Sequence, residues 1–195
     1  MSHIENVTAS HLLLVEYDHL KAEQRARIGF RDNLLYVTLA SMAAIVAAVL
    51  QGPSRPGLLL LMPPVCVILG WTYVVNDEKI SAIGRYVREH TAPHLEAAAA
   101  AATAPAPPAA APPFTEAFGW ERVHRSDAHR RNRKRLQLGA DLLAFCGAPL
   151  AALAVYWAGE PSHPALLGTS FAETLTILLL AVQIARYADL RTGAS

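Results

Sequence analysis

Cysteine is almost missing from this chain: two thiols, Cys66 and Cys146, in 195 residues. Both lie inside apolar runs, where a thiol behaves as a small hydrophobe, so neither a disulfide framework nor a thiolate metal site is expected. Enzyme motifs are missing as well. GxGxxG, GxxxxGK[ST], HExxH and GxSxG do not occur, which favours a non-enzyme and leaves only catalytic sites assembled from single polar residues on separate spans. Charge of one sign is scarce: the net value is +1, far from the uncompensated basic face that nucleic acid requires. No partner of that kind is expected. The first 30 residues carry Glu16, Asp18, Lys21, Glu23, Arg25 and Arg27, so they lack the basic start and apolar centre of a cleavable leader and are expected to be retained.

What the chain has in quantity is apolar surface in blocks. Hydrophobic residues make up 53% and the mean hydropathy is +0.25, while the charged residues gather in separate segments, the pattern of membrane spans divided by wet connections. Residues 1–33 read as a charged cytoplasmic helix, capped at Thr8 or Ser10, with Leu13, Tyr17, Leu20 and Ile28 at helical spacing. It leads directly into a first span at 34–50, which contains no charge. Gln51 to Gly57, with Pro53 and Pro56, forms a turn. The second span is 58–75, where Pro63 and Pro64 remove backbone donors and are expected to kink or locally unwind it.

Ile80, Ile83 and Val87 keep a helical stripe beyond Asn76, predicting a cytoplasmic stalk helix over 76–96 that ends near Pro93. Residues 97–113 are Ala and Pro with a single Thr, the composition of a semi-rigid linker. A basic helix at 114–137 precedes the third span, 138–157, which holds Asp141 near its start and a kink at Pro149. The fourth span is 166–187, and 188–195 form a short tail.

The bases fix an orientation. Four lie in the N-terminal segment (Lys21, Arg25, Arg27, Arg31), ten between the second and third spans and two at the C-terminal end, whereas Arg55 alone falls in the opposite loops. By the positive-inside rule, both termini and the central segment are cytoplasmic in a multi-pass protein of the cell membrane. The predicted fold is therefore all-α, a four-helix transmembrane bundle with cytoplasmic helical extensions.

Asp141 and Glu173 are the candidate intramembrane polar site, because an ionisable group in a span costs about 2.5–3.5 kcal/mol at its centre and usually faces a partner or cavity. A plainer reading has Asp141 reaching the interface or pairing with Lys134, and Glu173 lying shallow. Since the third and fourth spans run antiparallel, the two acids are not expected to share one site. Arg130, Arg131, Arg133, Lys134 and Arg135 abut a span, so they either set topology or meet anionic headgroups, with topology the better explanation. His90 and His94 are separated by Pro93, expected to disrupt the helix that would align them, and His124, Asp127 and His129 diverge around a helix. No metal or other cofactor is expected.

Three stretches, GFRDNLLYVTLA (Gly29–Ala40), GWTYVVNDEKISAIGRYVRE (Gly70–Glu89) and GWERVHRSDAHRRNRKRLQLGADLLAF (Gly119–Phe145), resemble a group of uncharacterised actinobacterial integral membrane proteins. The likeness covers spans and stalks, excludes the Ala/Pro linker and implies no catalytic residues. A looser similarity, in architecture alone, is to small helical membrane effectors of bacterial conflict systems.

Leu13, Tyr17 and Leu20 on one stalk and Ile80, Ile83 and Val87 on the other would be exposed alone, so they are expected to pack together or against another subunit. Besides the lipid bilayer, the expected partners are further copies of the chain or a cytoplasmic protein. The expected function is a non-enzymatic membrane anchor or adaptor whose cytoplasmic helices self-assemble or dock a soluble partner. The alternative is an oligomeric ion channel or membrane-disrupting effector using Glu173 and the proline-bearing second span. An intramembrane enzyme or transporter ranks last, for want of a motif or an internal repeat of spans.

Overall fold

A computed structural model describes residues 9–51, 56–103, 130–159 and 164–187. The linker beyond Thr103, the basic segment before Arg130 with its histidines, both short loops and the tail fall outside the described residues, as does Arg55. Among the described residues every element is helical: α1 (Ala9–Leu50), a 3-10 helix (Pro56–Leu61), α2 (Met62–Tyr86), a π-helical turn (Val87–Thr91), α3 (Ala92–Thr103), α4 (Arg130–Leu142), a second π-helical turn (Leu143–Gly147), α5 (Ala148–Ala158) and α6 (Pro164–Tyr187). Four helical runs are long and apolar enough to cross a membrane: His11–Leu50, Pro56–Ala98, Asn132–Ala158 and Pro164–Tyr187. Helices are the form such spans must take, because hydrocarbon offers no partner for an unpaired backbone group. The fold is a helical bundle compatible with a multi-pass membrane protein.

The chain divides into two compact units, one from Met1–Ile28 and Lys79–Arg130, the other from Gly29–Glu78 and Arg131–Ser195. In the first, the start of α1 lies against the end of α2 and its continuation. Leu13, Tyr17 and Leu20 are half-buried, Ile80, Val87 and Leu95 are buried, and Ile83 is half-buried. Polar groups join the apolar contacts: the Gln24 amide donates to the Ile80 carbonyl at 3.3 Å, and the Tyr86 hydroxyl donates to Glu16 at 2.9 Å. The Glu16 carboxylate stabilises the neutral phenol, pushing Tyr86 above its ordinary pKa.

In the second unit the core is assembled around α2, 44% of whose most apolar window is buried, against 11% for α1. Cys66, Phe145, Ile177 and Leu180 are all but inaccessible. Gly70 makes this packing possible: a Cβ there would come within 2.8 Å of Leu180 Cδ2 and 3.0 Å of the Phe145 ring, so only a residue without a side chain lets the helices approach. Serine and threonine hydroxyls in the apolar runs turn back on their own helices. Thr38 bonds the Leu34 carbonyl at 2.7 Å, Thr72 that of Ile68 at 2.9 Å and Thr174 that of Ser170 at 2.8 Å, which removes the cost of an unpaired hydroxyl in an apolar setting.

The prolines lie beside departures from α-helical geometry. Pro63 and Pro64 occupy the first turn of α2, directly after the 3-10 helix, where their missing N–H groups cost little, so the irregularity lies before the α-helical ladder. Pro149 likewise sits in the first turn of α5, after a π-turn in which Ala148 N–H reaches Leu143 O. Pro93 repeats the arrangement: a π-turn closed from Ala92 N–H to Val87 O comes just before it, and the wider turn accommodates the proline ring. The stalk therefore does not end at Pro93. It continues to Thr103, correcting the expected linker start at Ala97, because an alanine run is the best helix former available.

Gly70→Ala is expected to lower stability by about 1–3 kcal/mol through overpacking against Leu180 and Phe145. Gly139→Ala, whose new Cβ meets nothing within 4 Å, should cause no loss. Denaturant unfolding of the purified protein in micelles reads both, and equal behaviour of the two variants would refute the close packing at Gly70.

Candidate functional site

Polar side chains from α1, α2 and α4 converge in the second unit at the end that carries Arg31, Lys134 and Arg186. On α2, Tyr73 and Asp77 are one helical turn apart and so share a face. Gln137 and Asp141 repeat that spacing on α4, as does Phe145 in the following π-turn. The Arg31 guanidinium of α1 meets the Asp77 carboxylate at 3.0 Å, both side chains being 24% exposed, and also bonds Asp32 at 3.2 Å. The side chains of Tyr73, Gln137 and Asp141 line one cavity, with the Tyr73 hydroxyl in electrostatic contact with the Asp141 carboxylate and the Gln137 amide. Below this layer the Tyr73 ring packs on Phe145 with centroids 5.1 Å apart, so polar groups give way to core within one turn.

Between these groups lies a cavity of about 30 Å³, lined by Tyr73, Asp77, Lys134, Gln137, Asp141 and Tyr187 among others. That volume suits one or two waters, which its hydroxyls, carboxylates and amide can satisfy. Asp141 is buried, at 9% exposure, and lies within electrostatic reach of Tyr73, Arg31 and Lys134. A carboxylate placed this way ties α4 to α2.

Sequence reading singled out Asp141 but not Arg31, Tyr73, Asp77 or Gln137. The signal that could have found the layer is the pair of matching one-turn spacings, Tyr73/Asp77 and Gln137/Asp141. Glu173 does not join it. It lies three helical turns, about 16 Å, from Ile184 on the cavity wall. Glu173 Oε2 and the Tyr156 hydroxyl are buried without a hydrogen-bond partner among the described residues. Within the basic run, Lys134 lines the cavity while Arg133 and Arg135 are exposed, and the side chains of Arg130 and Arg131 are outside the described residues.

Pro93 does not separate His90 from His94 as expected, because helix continues through it, and His94 Nδ1 lies 2.6 Å from the His90 carbonyl. Among the described residues no three His, Cys, Asp or Glu side chains gather as a metal would require. Comparison with protein-family models, with curated proteins and with solved structures finds no match. The polar layer lies where the apolar core stops, around a cavity large enough for one or two waters.

Arg31→Gln and Asp77→Asn should each lower unfolding stability by about 1 kcal/mol, the scale of partly exposed pairs. The double variant should lose less than the sum, with a coupling of about 0.5–1 kcal/mol in a denaturant-unfolding cycle. Strictly additive losses would contradict a direct pair.

Proposed function

We propose that this chain is a non-enzymatic membrane anchor or adaptor, with its stalk helices and both termini in the cytoplasm, where the stalks self-assemble or dock a soluble partner. The observation that carries the reading is the preformed stalk. Gln24 bonds Ile80 and Tyr86 bonds Glu16 across the two helices, so the module is ordered before any partner arrives and binding loses little conformational entropy. Leu12, Leu14 and Val15 remain exposed on it at 58%, 53% and 39%, surface that a protein in water normally covers. The basic residues support the orientation through the positive-inside rule.

Glu173 favours a second reading, an oligomeric channel or membrane-disrupting effector, because a buried carboxylate oxygen without a hydrogen-bond partner among the described residues is available to line a path built from several copies. The mass of the full chain in nanodiscs, together with ion flux after reconstitution into liposomes, separates the two. The anchor reading expects a defined assembly, or a monomer that binds a soluble protein through the stalk, and liposomes that stay sealed under an applied potential. Flux that disappears in Glu173→Gln would establish the channel instead.

A further inference from the structure

Asp141 is a buried acid with no ion-pair partner among the described residues. It is 9% exposed and lines the cavity between α2, α4 and α6. The ion pairs of the described residues join Arg27 to Glu23, Arg31 to Asp32 and Asp77, and Arg88 to Glu89. None of them includes Asp141. Tyr73 meets it as a neutral group, while Arg31 and Lys134 act on it from a distance. Lys134 lines the same cavity and also stands outside those pairs. A buried carboxylate is destabilising until a cation compensates it, and the cavity is the space in which a cation can be placed.

The cavity restricts what that cation is. Its volume of about 30 Å³ admits about two water-sized groups. That is enough for an ammonium nitrogen and the methylene next to it, and too little for a planar guanidinium or a trimethylammonium head. An alkylammonium has three donors, and Asp141, Asp77, the Tyr73 hydroxyl and the Gln137 amide border the space with acceptors for them. Val74 and Ile184 add apolar wall against which a methylene can lie. Lys134, two turns from Asp141 on the same face of α4, would repel a bare metal ion. It suits a ligand that carries an anionic group close to its ammonium, the amine going to Asp141 and the anion to Lys134.

We propose that the cavity binds a primary ammonium group held close to an anionic group, the chemistry of phosphoethanolamine, with Asp141 as counter-ion of the ammonium and Lys134 as counter-ion of the phosphate. Two sources present that chemistry: the headgroup of an aminophospholipid, which a bundle in a bilayer meets where its apolar core stops, and free phosphoethanolamine. Charge balance supports the zwitterion. Arg31 already offsets Asp77 at 3.0 Å, so the ligand satisfies the remaining acid and base and adds no net charge to the layer. The site is independent of the anchor and channel readings, which stand or fall without it.

Two measurements on the full chain test the site and separate its sources. Native mass spectrometry from nanodiscs of equal phosphatidylethanolamine and phosphatidylcholine reads the lipid source. Equilibrium dialysis of the chain in micelles against labelled phosphoethanolamine or phosphocholine reads the free one. In at least one of them the ethanolamine head is expected to bind about tenfold or more tightly than the choline head, and the arm that shows the preference identifies the source. Asp141→Asn should erase the preference. Lys134→Gln, at a half-buried position, should weaken binding of the ethanolamine head by about threefold or more, with helical content by circular dichroism unchanged. No discrimination between the heads in either arm means a hydrated cavity only and overturns the proposal, as does a preference that survives Asp141→Asn. Should Asp141→Asn lose its helical content, Lys134→Gln decides, and undiminished binding in that variant overturns the site.

Discussion

The ion pair between Arg31 and Asp77 stands where the apolar runs of α1 and α2 end. Residues beyond it on α1 and before it on α2 are apolar for the length of a span, and the charges resume on its other side. In a bilayer neither ion could sit deeper without a cost of several kcal/mol, so for helices that span one the pair would limit sliding along the bilayer normal. Tyr73, one turn from Asp77, meets the helix of Gln137 and Asp141 across the cavity and packs its ring on Phe145. The packing at Gly70, Phe145 and Leu180 then follows within a few turns.

Much of this was legible in the sequence, for a simple reason: an uncharged run such as Leu34–Leu50 has few alternatives to spanning hydrocarbon. The stripes of Leu13, Tyr17 and Leu20 and of Ile80 and Val87 were legible because helical periodicity is local information. The polar layer was not. Tyr73 and Asp77 gain meaning only when α4 presents Gln137 and Asp141 to them, and which faces meet is decided by tertiary packing. Pro93 misled for a different reason. A proline is read as a stop because it lacks one donor and crowds the preceding turn, but a π-turn removes the crowding, and the chain uses that device before Pro93 and again before Pro149.

α1 and α2 contribute unequally to the core. Only 11% of the apolar window of α1 is buried, against 44% for the run that contains α2, so the apolar core is centred on α2, and the polar residues Tyr73, Asp77, Gln137 and Asp141 line the small cavity where that core stops.

The most direct measurement is side-specific labelling of single cysteines with a membrane-impermeant thiol reagent, at Ser54, Ser81 and Ser162. The account predicts that Ser81→Cys reacts only from the cytoplasmic side and that Ser54→Cys and Ser162→Cys react only from the opposite side. Labelling of Ser54→Cys and Ser81→Cys from the same side would contradict it, because the helix between them would then not cross the membrane.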